Sequence, residues 1–155
     1  LGAKVFRVTG GLFENETFLV RGDRVVQLGT AVGGRGVTSL RVTDLDADGA
    51  PELVYAFSFG SGIQQTRLGM YAPEIDMQAT FTTEKGYRGE LMLSGEDLTS
   101  AVVRVARPQP GRMVIDAQVV LGELRIEREG ESARLVLDLD GDLPPEVAGA
   151  VIGAP

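Results

Sequence analysis

Leu40-Arg41-Val42-Thr43-Asp44-Leu45-Asp46-Ala47-Asp48-Gly49-Ala50-Pro51-Glu52-Leu53-Val54-Tyr55-Ala56-Phe57 is the stretch on which the reading of the chain turns. Its two ends are rich in β-branched, aromatic and aliphatic residues and read as strands. Leu53-Val54-Tyr55-Ala56-Phe57 is continuously apolar, the pattern of a strand buried on both faces. Between the ends, carboxylates stand at positions 1, 3, 5 and 9 counted from Asp44, with Gly49 at position 6. Glycine at that point supplies a sharp turn where a Cβ would be penalised at positive φ. Four carboxylates so close in sequence repel one another unless a cation lies among them. Ca²⁺ takes six to eight oxygens at about 2.3–2.6 Å, and a tight loop lets alternate side chains converge on it. The expected ligands are the side chains of Asp44, Asp46, Asp48 and Glu52, with the Ala50 carbonyl between them. An EF-hand needs flanking helices and a glutamate at position 12, whereas position 12 is Tyr55 and both flanks read as strand. The motif is therefore expected at the tip of a β-hairpin.

Outward from this hairpin, short Val-rich stretches alternate with turn signals. The expected strands are Lys4–Thr9, Thr17–Val20, Arg24–Leu28, Val37–Thr43, Leu53–Phe59, Gln65–Tyr71, Met77–Thr83, Arg88–Leu93, Met113–Leu121, Glu123–Arg128 and Ala133–Leu137. Arg21-Gly22-Asp23, Gly33-Gly34-Arg35-Gly36, Lys85-Gly86, Leu121-Gly122 and Glu129-Gly130 mark turns between them. Strict alternation in Glu123-Leu124-Arg125-Ile126-Glu127-Arg128 predicts one wet face. Asp97–Ala106 reads as helix from its Ser94 cap but as strand from Val102, Val103 and Val105, and Pro144–Val151 reads as a short helix. The whole is an all-β chain, an antiparallel sandwich or a meander of hairpins. At 155 residues it is expected to form one domain, residues 1–155.

The loop Asp44–Leu53 resembles the calcium loop of FG-GAP or VCBS-type repeats, the blade element of integrin-like β-propellers. Glu52 stands where those repeats more often carry Asp. The following Phe57-Ser58-Phe59-Gly60-Ser61-Gly62 is similar to a glycine-rich segment of uncharacterised bacterial proteins that hold one such loop. The resemblance spans about residues 37–72 and implies a Ca²⁺-bearing surface element. The chain is too short for a complete propeller, which needs at least about four blades of four strands.

A second run, Asp138-Leu139-Asp140-Gly141-Asp142, echoes the first. There Leu143 takes the place of Gly49, so Asp138, Asp140 and Asp142 read either as a degenerate metal site or as an acidic turn. Arg21-Gly22-Asp23 matches an adhesive tripeptide, but apolar strands flank it and it reads as hairpin chemistry. Asn15-Glu16-Thr17 fits a glycosylation pattern of low specificity.

Composition narrows the functions. The chain has no Cys and no His, which removes disulfides, thiol nucleophiles, imidazole bases and the usual zinc and haem ligand sets. A net charge of −7 argues against nucleic acid as a partner. No apolar run is long enough to span a membrane as a helix, and no signal sequence opens the chain. Low-affinity Ca²⁺ sites fill where Ca²⁺ is plentiful, which suggests a secreted or cell-envelope setting. The expected function is a Ca²⁺-stabilised, non-enzymatic binding or adhesion module for a protein or glycan, with an apolar patch near the loop involving Phe57, Phe59 and Tyr71. The alternatives are a structural domain that assembles with copies of itself and, third, a carboxylate-based carbohydrate hydrolase. Against the hydrolase, the chain has no Trp for sugar stacking.

Overall fold

The computed structural model describes residues 2–62, 64–81, 91–94, 100–109, 112–130, 132–143 and 147. It is all-β, with eleven strands: β1 Lys4–Arg7, β2 Thr17–Arg21, β3 Arg24–Gln27, β4 Gly36–Thr43, β5 Glu52–Phe59, β6 Gln65–Ala72, β7 Met77–Phe81, β8 Leu91–Ser94, β9 Val102–Gln109, β10 Arg112–Glu129 and β11 Ser132–Leu139. They form three antiparallel sheets ordered β1-β2-β3, β4-β5-β6-β7 and β11-β10-β9-β8.

The β4–β7 sheet is the middle layer, and β5 shows why. Every residue from Glu52 to Ser58 is buried. Side chains alternate across a strand, so Val54 and Ala56 face one way and Leu53, Tyr55 and Phe57 the other. The first set joins Leu68, Met70, Leu91, Val103, Leu121, Leu124, Leu135 and Leu137 in a core between this sheet and the β8–β11 sheet. The second set joins Leu19, Leu28, Val37 and Tyr71 in a separate core under the three-stranded sheet. The edges of the two four-stranded sheets also meet, β7 lying along β11 and β4 beside β8. There Leu93 N–H donates to Ser39 Oγ at 3.0 Å, and Arg41 Nε–H to the Ser100 carbonyl at 3.0 Å.

The alternating stretch Glu123–Arg128 behaves as its pattern dictates. Leu124 and Ile126 pack on the first core, while Arg125 and Glu127 face outward in ion pairs with each other and with Asp138 and Arg134. Leu121-Gly122 is not a turn. The two strands expected on either side of it are one continuous strand, β10. Gly122 instead sits at a register shift against β9 with φ +151°, and a Cβ there would lie 3.0 Å from Leu139 Cα on β11. The glycine signal was real, but it marks a bulge under a close strand rather than a hairpin. Val102–Gln109 is strand β9, so the β-branched run overrides the helical option for Asp97–Ala106. Residues 82–90 and 95–99, and Pro144–Val151 apart from the buried Val147, lie outside the described residues.

Gly69 is required by packing rather than by backbone conformation. Gly69 pairs with Tyr55 across β5 and β6, and the Tyr55 ring occupies the space a side chain would fill, its Oη 2.7 Å from where a Cβ would stand. Tyr55 is 1% exposed and has no room to move aside. Gly69→Ala should therefore cost about 1–3 kcal/mol through overpacking. Denaturant unfolding should register this as a lower midpoint at unchanged slope, and an unchanged midpoint would mean the ring has another place to go.

Candidate metal centre

The acidic stretch lies where the sequence places it, at the end of the β4–β5 hairpin. Thr43 and Glu52 form the last pair of the ladder, leaving residues 44–51 as the connecting loop. Gly49 takes φ +88° and Ala47 φ +56°, so the backbone reverses twice in the left-handed region within the loop. Only Gly49 does so without steric cost.

Asp44 organises this path. Its Oδ1 accepts the Asp48 N–H at 3.1 Å and its Oδ2 the Gly49 N–H at 3.0 Å. Asp48 Oδ1 in turn accepts the Ala50 N–H at 2.8 Å. Asp44, Asp46 and Asp48 each bring a carboxylate oxygen within 4.8 Å of the others, and they are the one such acidic group among the described residues. Each carboxylate oxygen has two acceptor directions, so one N–H bond does not exhaust it.

Glu52 is placed differently. It is the first residue of β5, 2% exposed, and its Oε2 accepts the Leu45 N–H at 2.7 Å across the loop's base. Burial pushes its carboxyl above the usual range. The Leu45 hydrogen bond pulls it back, and the charges of Asp46, Asp48 and Asp44 push it up further. Ala50 gives its N–H to Asp48 and, with Asp48, Glu52, Glu74 and Arg128, lines a small cleft of about 40 Å³ beside the loop.

Sequence reasoning missed Arg128. This residue, from the far end of β10, donates from Nε at 2.9 Å and from Nη2 to the same Asp46 Oδ2. The carboxylates, Asp46 first, hold its guanidinium above its ordinary range. No local pattern could have found it, because the pair is separated by 82 residues and depends on how β10 crosses the middle sheet. The other oxygen, Asp46 Oδ1, is closed off from solvent and has no hydrogen-bond partner.

The echo at residues 138–142 does not assemble in the same way. Asp138 lies on β11 and pairs with Arg125 at 2.6 Å, while Asp140 Oδ1 accepts the Asp142 N–H at 3.2 Å. The expected apolar patch is also misplaced. Phe57 and Tyr71 are 4% and 2% exposed in the second core, Phe59 packs against it, and the exposed apolar residues leading into the loop are Leu40 and Val42 on β4. For Phe57 the structure favours the reading of residues 53–57 as a doubly buried strand over the surface patch, while the polar residues around Tyr71 in Gln65–Tyr71 gave no sign of the three-stranded sheet that covers it. Arg21-Gly22-Asp23 is the β2–β3 hairpin turn, its Arg21 guanidinium held by the Pro73 carbonyl at 3.0 Å and by Glu74. Asn15 donates to the Gly34 carbonyl at 3.3 Å.

No family model, curated protein or solved structure matches the chain.

The direction of the Glu52 shift fixes a pH dependence. A carboxyl whose folded pKa is raised favours folding when protonated, so its contribution is most favourable below its unfolded value and is lost as pH rises through the folded value. Glu52→Gln keeps an acceptor for Leu45 N–H without the charge. In chelator, the variant should unfold at a higher temperature than the wild type near neutral pH. The difference should shrink as pH falls into the carboxylate range, and parallel pH profiles would show that the buried charge carries no penalty.

Proposed function

We propose that the Asp44–Glu52 loop is a structural Ca²⁺ site in a non-enzymatic binding module of a secreted or cell-envelope protein. The observation that carries this reading is Asp46 Oδ1, a carboxylate oxygen shut off from water without a hydrogen bond, within the group formed with Asp44 and Asp48. A buried acceptor left unpaired costs about 1–3 kcal/mol, more when charged, and a cation among the three carboxylates would remove that cost. The proposed ligands are the side chains of Asp44, Asp46, Asp48 and Glu52 and the Ala50 carbonyl. An all-oxygen set selects hard cations, and an eight-residue hairpin connection adapts to the longer, more variable bonds of Ca²⁺ more readily than to octahedral Mg²⁺.

Arg128 supports a structural role for the ion. With Asp46 Oδ2 held by the guanidinium, Asp46 offers the metal its other oxygen, so the ion and the arginine together would join the hairpin end to β10. The resemblance to FG-GAP or VCBS-type loops points to the same chemistry. Leu40 and Val42, 41% and 40% exposed beside the loop, are where the proposed module has apolar surface to offer a partner.

Thermal unfolding in chelator and in millimolar Ca²⁺ tests the proposal. Saturation at about 100 times the dissociation constant adds about 2.7 kcal/mol, a rise of several degrees in a domain this size. Asp46→Ala should abolish the rise, and Mg²⁺ at equal concentration should give a smaller one. A metal-stripped wild type that gains nothing from Ca²⁺ would reduce the loop to an acidic turn.

A further inference from the structure

Among the described residues, the edges of the two larger sheets cover each other, β4 against β8 and β7 against β11, whereas β1 and β3, the two edges of the smaller sheet, each have a strand on one side only. All four residues of β1 are exposed, including Val5 at 41% and Phe6 at 52%. The hydrogen-bond phase of this edge follows from the ladder. Val8 N–H donates to the Glu16 carbonyl, and β1 pairs with β2 in the register Lys4–Val20, Val5–Leu19, Phe6–Phe18 and Arg7–Thr17. Facing pairs in an antiparallel ladder alternate between bonded and non-bonded, so Phe6 and Lys4 point their N–H and C=O groups at β2. Leu28 N–H donating to the Thr17 carbonyl sets the matching phase on the other side of β2. Val5 and Arg7 therefore turn their backbone groups outward, the arrangement that accepts an added strand.

Charge selects the occupant. The chain carries 22 acidic and 15 basic residues, yet β1, β2 and β3 contain Lys4, Arg7, Arg21 and Arg24 and no carboxylate. Arg21 and Arg24 are balanced by Glu74 and Asp76 on the β6–β7 turn. Lys4 and Arg7 have no carboxylate partner among the described residues, Arg7 donating instead to the Val37 carbonyl. Of the two open edges, β1 is thus the one whose cations have no carboxylate partner among the described residues, since Arg24 of β3 is paired with Asp76. A second copy of β1 added there would bring four cations and no anion onto one seam.

We propose that β1 is a docking edge for an extended acidic polypeptide, one in which two adjacent apolar residues are flanked by carboxylates, matching Lys4-Val5-Phe6-Arg7 on both faces, and which extends the three-stranded sheet. The partner's backbone bonds to Val5 and Arg7, its carboxylates meet Lys4 and Arg7, and its apolar residues lie against Val5 and Phe6. This deepens the binding-module reading and rests on it, but not on the cation site, so a Ca²⁺ effect on melting and peptide binding can fail separately.

The experiment is fluorescence anisotropy of the full chain with a short labelled peptide carrying Glu-Val-Val-Glu, compared with one carrying Lys-Val-Val-Lys. The acidic peptide should bind and the basic one should not. Val5→Pro removes an outward N–H at a position where an edge tolerates proline, and should weaken binding by about tenfold or more with little change in melting temperature. Lys4→Glu with Arg7→Glu should reverse the preference, which keeps the test decisive if the proline variant fails to fold. Equal binding of both peptides, or of neither, overturns the proposal. So does a concentration-dependent dimer in sedimentation that Val5→Pro dissolves, which would give the edge to a second copy.

Discussion

Burial of β5 on both faces is the constraint from which the rest of the architecture follows. Leu53, Val54, Tyr55, Ala56 and Phe57 leave no side of the strand for water, so the chain must supply an apolar layer above and another below. The β8–β11 sheet provides one and the β1–β3 sheet the other, and the two cores remain separate because β5 and its neighbours lie between them. Burying an aliphatic or aromatic side chain contributes about 1.5–3 kcal/mol each, and β5 holds several in succession. That concentration makes Gly69 indispensable: where one strand is filled on both faces, its neighbour must yield space, and the Tyr55 ring takes it.

The same strand positions the acidic loop. Glu52 is at once the last rung of the β4–β5 ladder and the residue that reaches back to Leu45, so the loop's base is fixed by a buried carboxylate. Asp44 spends its oxygens on loop N–H groups, Asp48 on Ala50, and Asp46 divides its two oxygens between Arg128 and no partner at all. The loop is thus organised locally by backbone bonds and anchored at long range by one guanidinium. This division of labour lets the proposed ion act on geometry already in place.

Legibility of these features in the sequence followed their range. The hairpin, its acidic tip and the doubly buried strand are written in residues 40–57, and local pattern was enough to read them. Turn chemistry placed most strand ends within a residue or two. Gly122 was misread because a glycine between two apolar runs has the same local signature whether it turns the chain or makes way for a neighbouring strand, and only the approach of the β11 backbone, the Asp138 carbonyl first, distinguishes the two. Phe57 was already marked as doubly buried by its continuously apolar run, whereas Tyr71 was misplaced because Gln65–Tyr71 has no such run and the sheet that covers it left no local mark. Arg128 was invisible for the same reason: its partner is set by the crossing of layers, not by spacing along the chain.

The 82-position separation of Asp46 and Arg128 along the chain has a kinetic consequence. The β4–β5 hairpin is local and can close within microseconds, whereas β10 must first be brought back across a long loop. Early in folding, therefore, the four carboxylates are gathered without their guanidinium, and their mutual repulsion is felt at the barrier more than in the native state. Ionic strength then acts on the two rates unequally. Screening lowers the barrier to folding, while in the finished protein it weakens the Arg128 contact as well as the repulsion, so salt changes how fast the chain folds more than how stable it becomes.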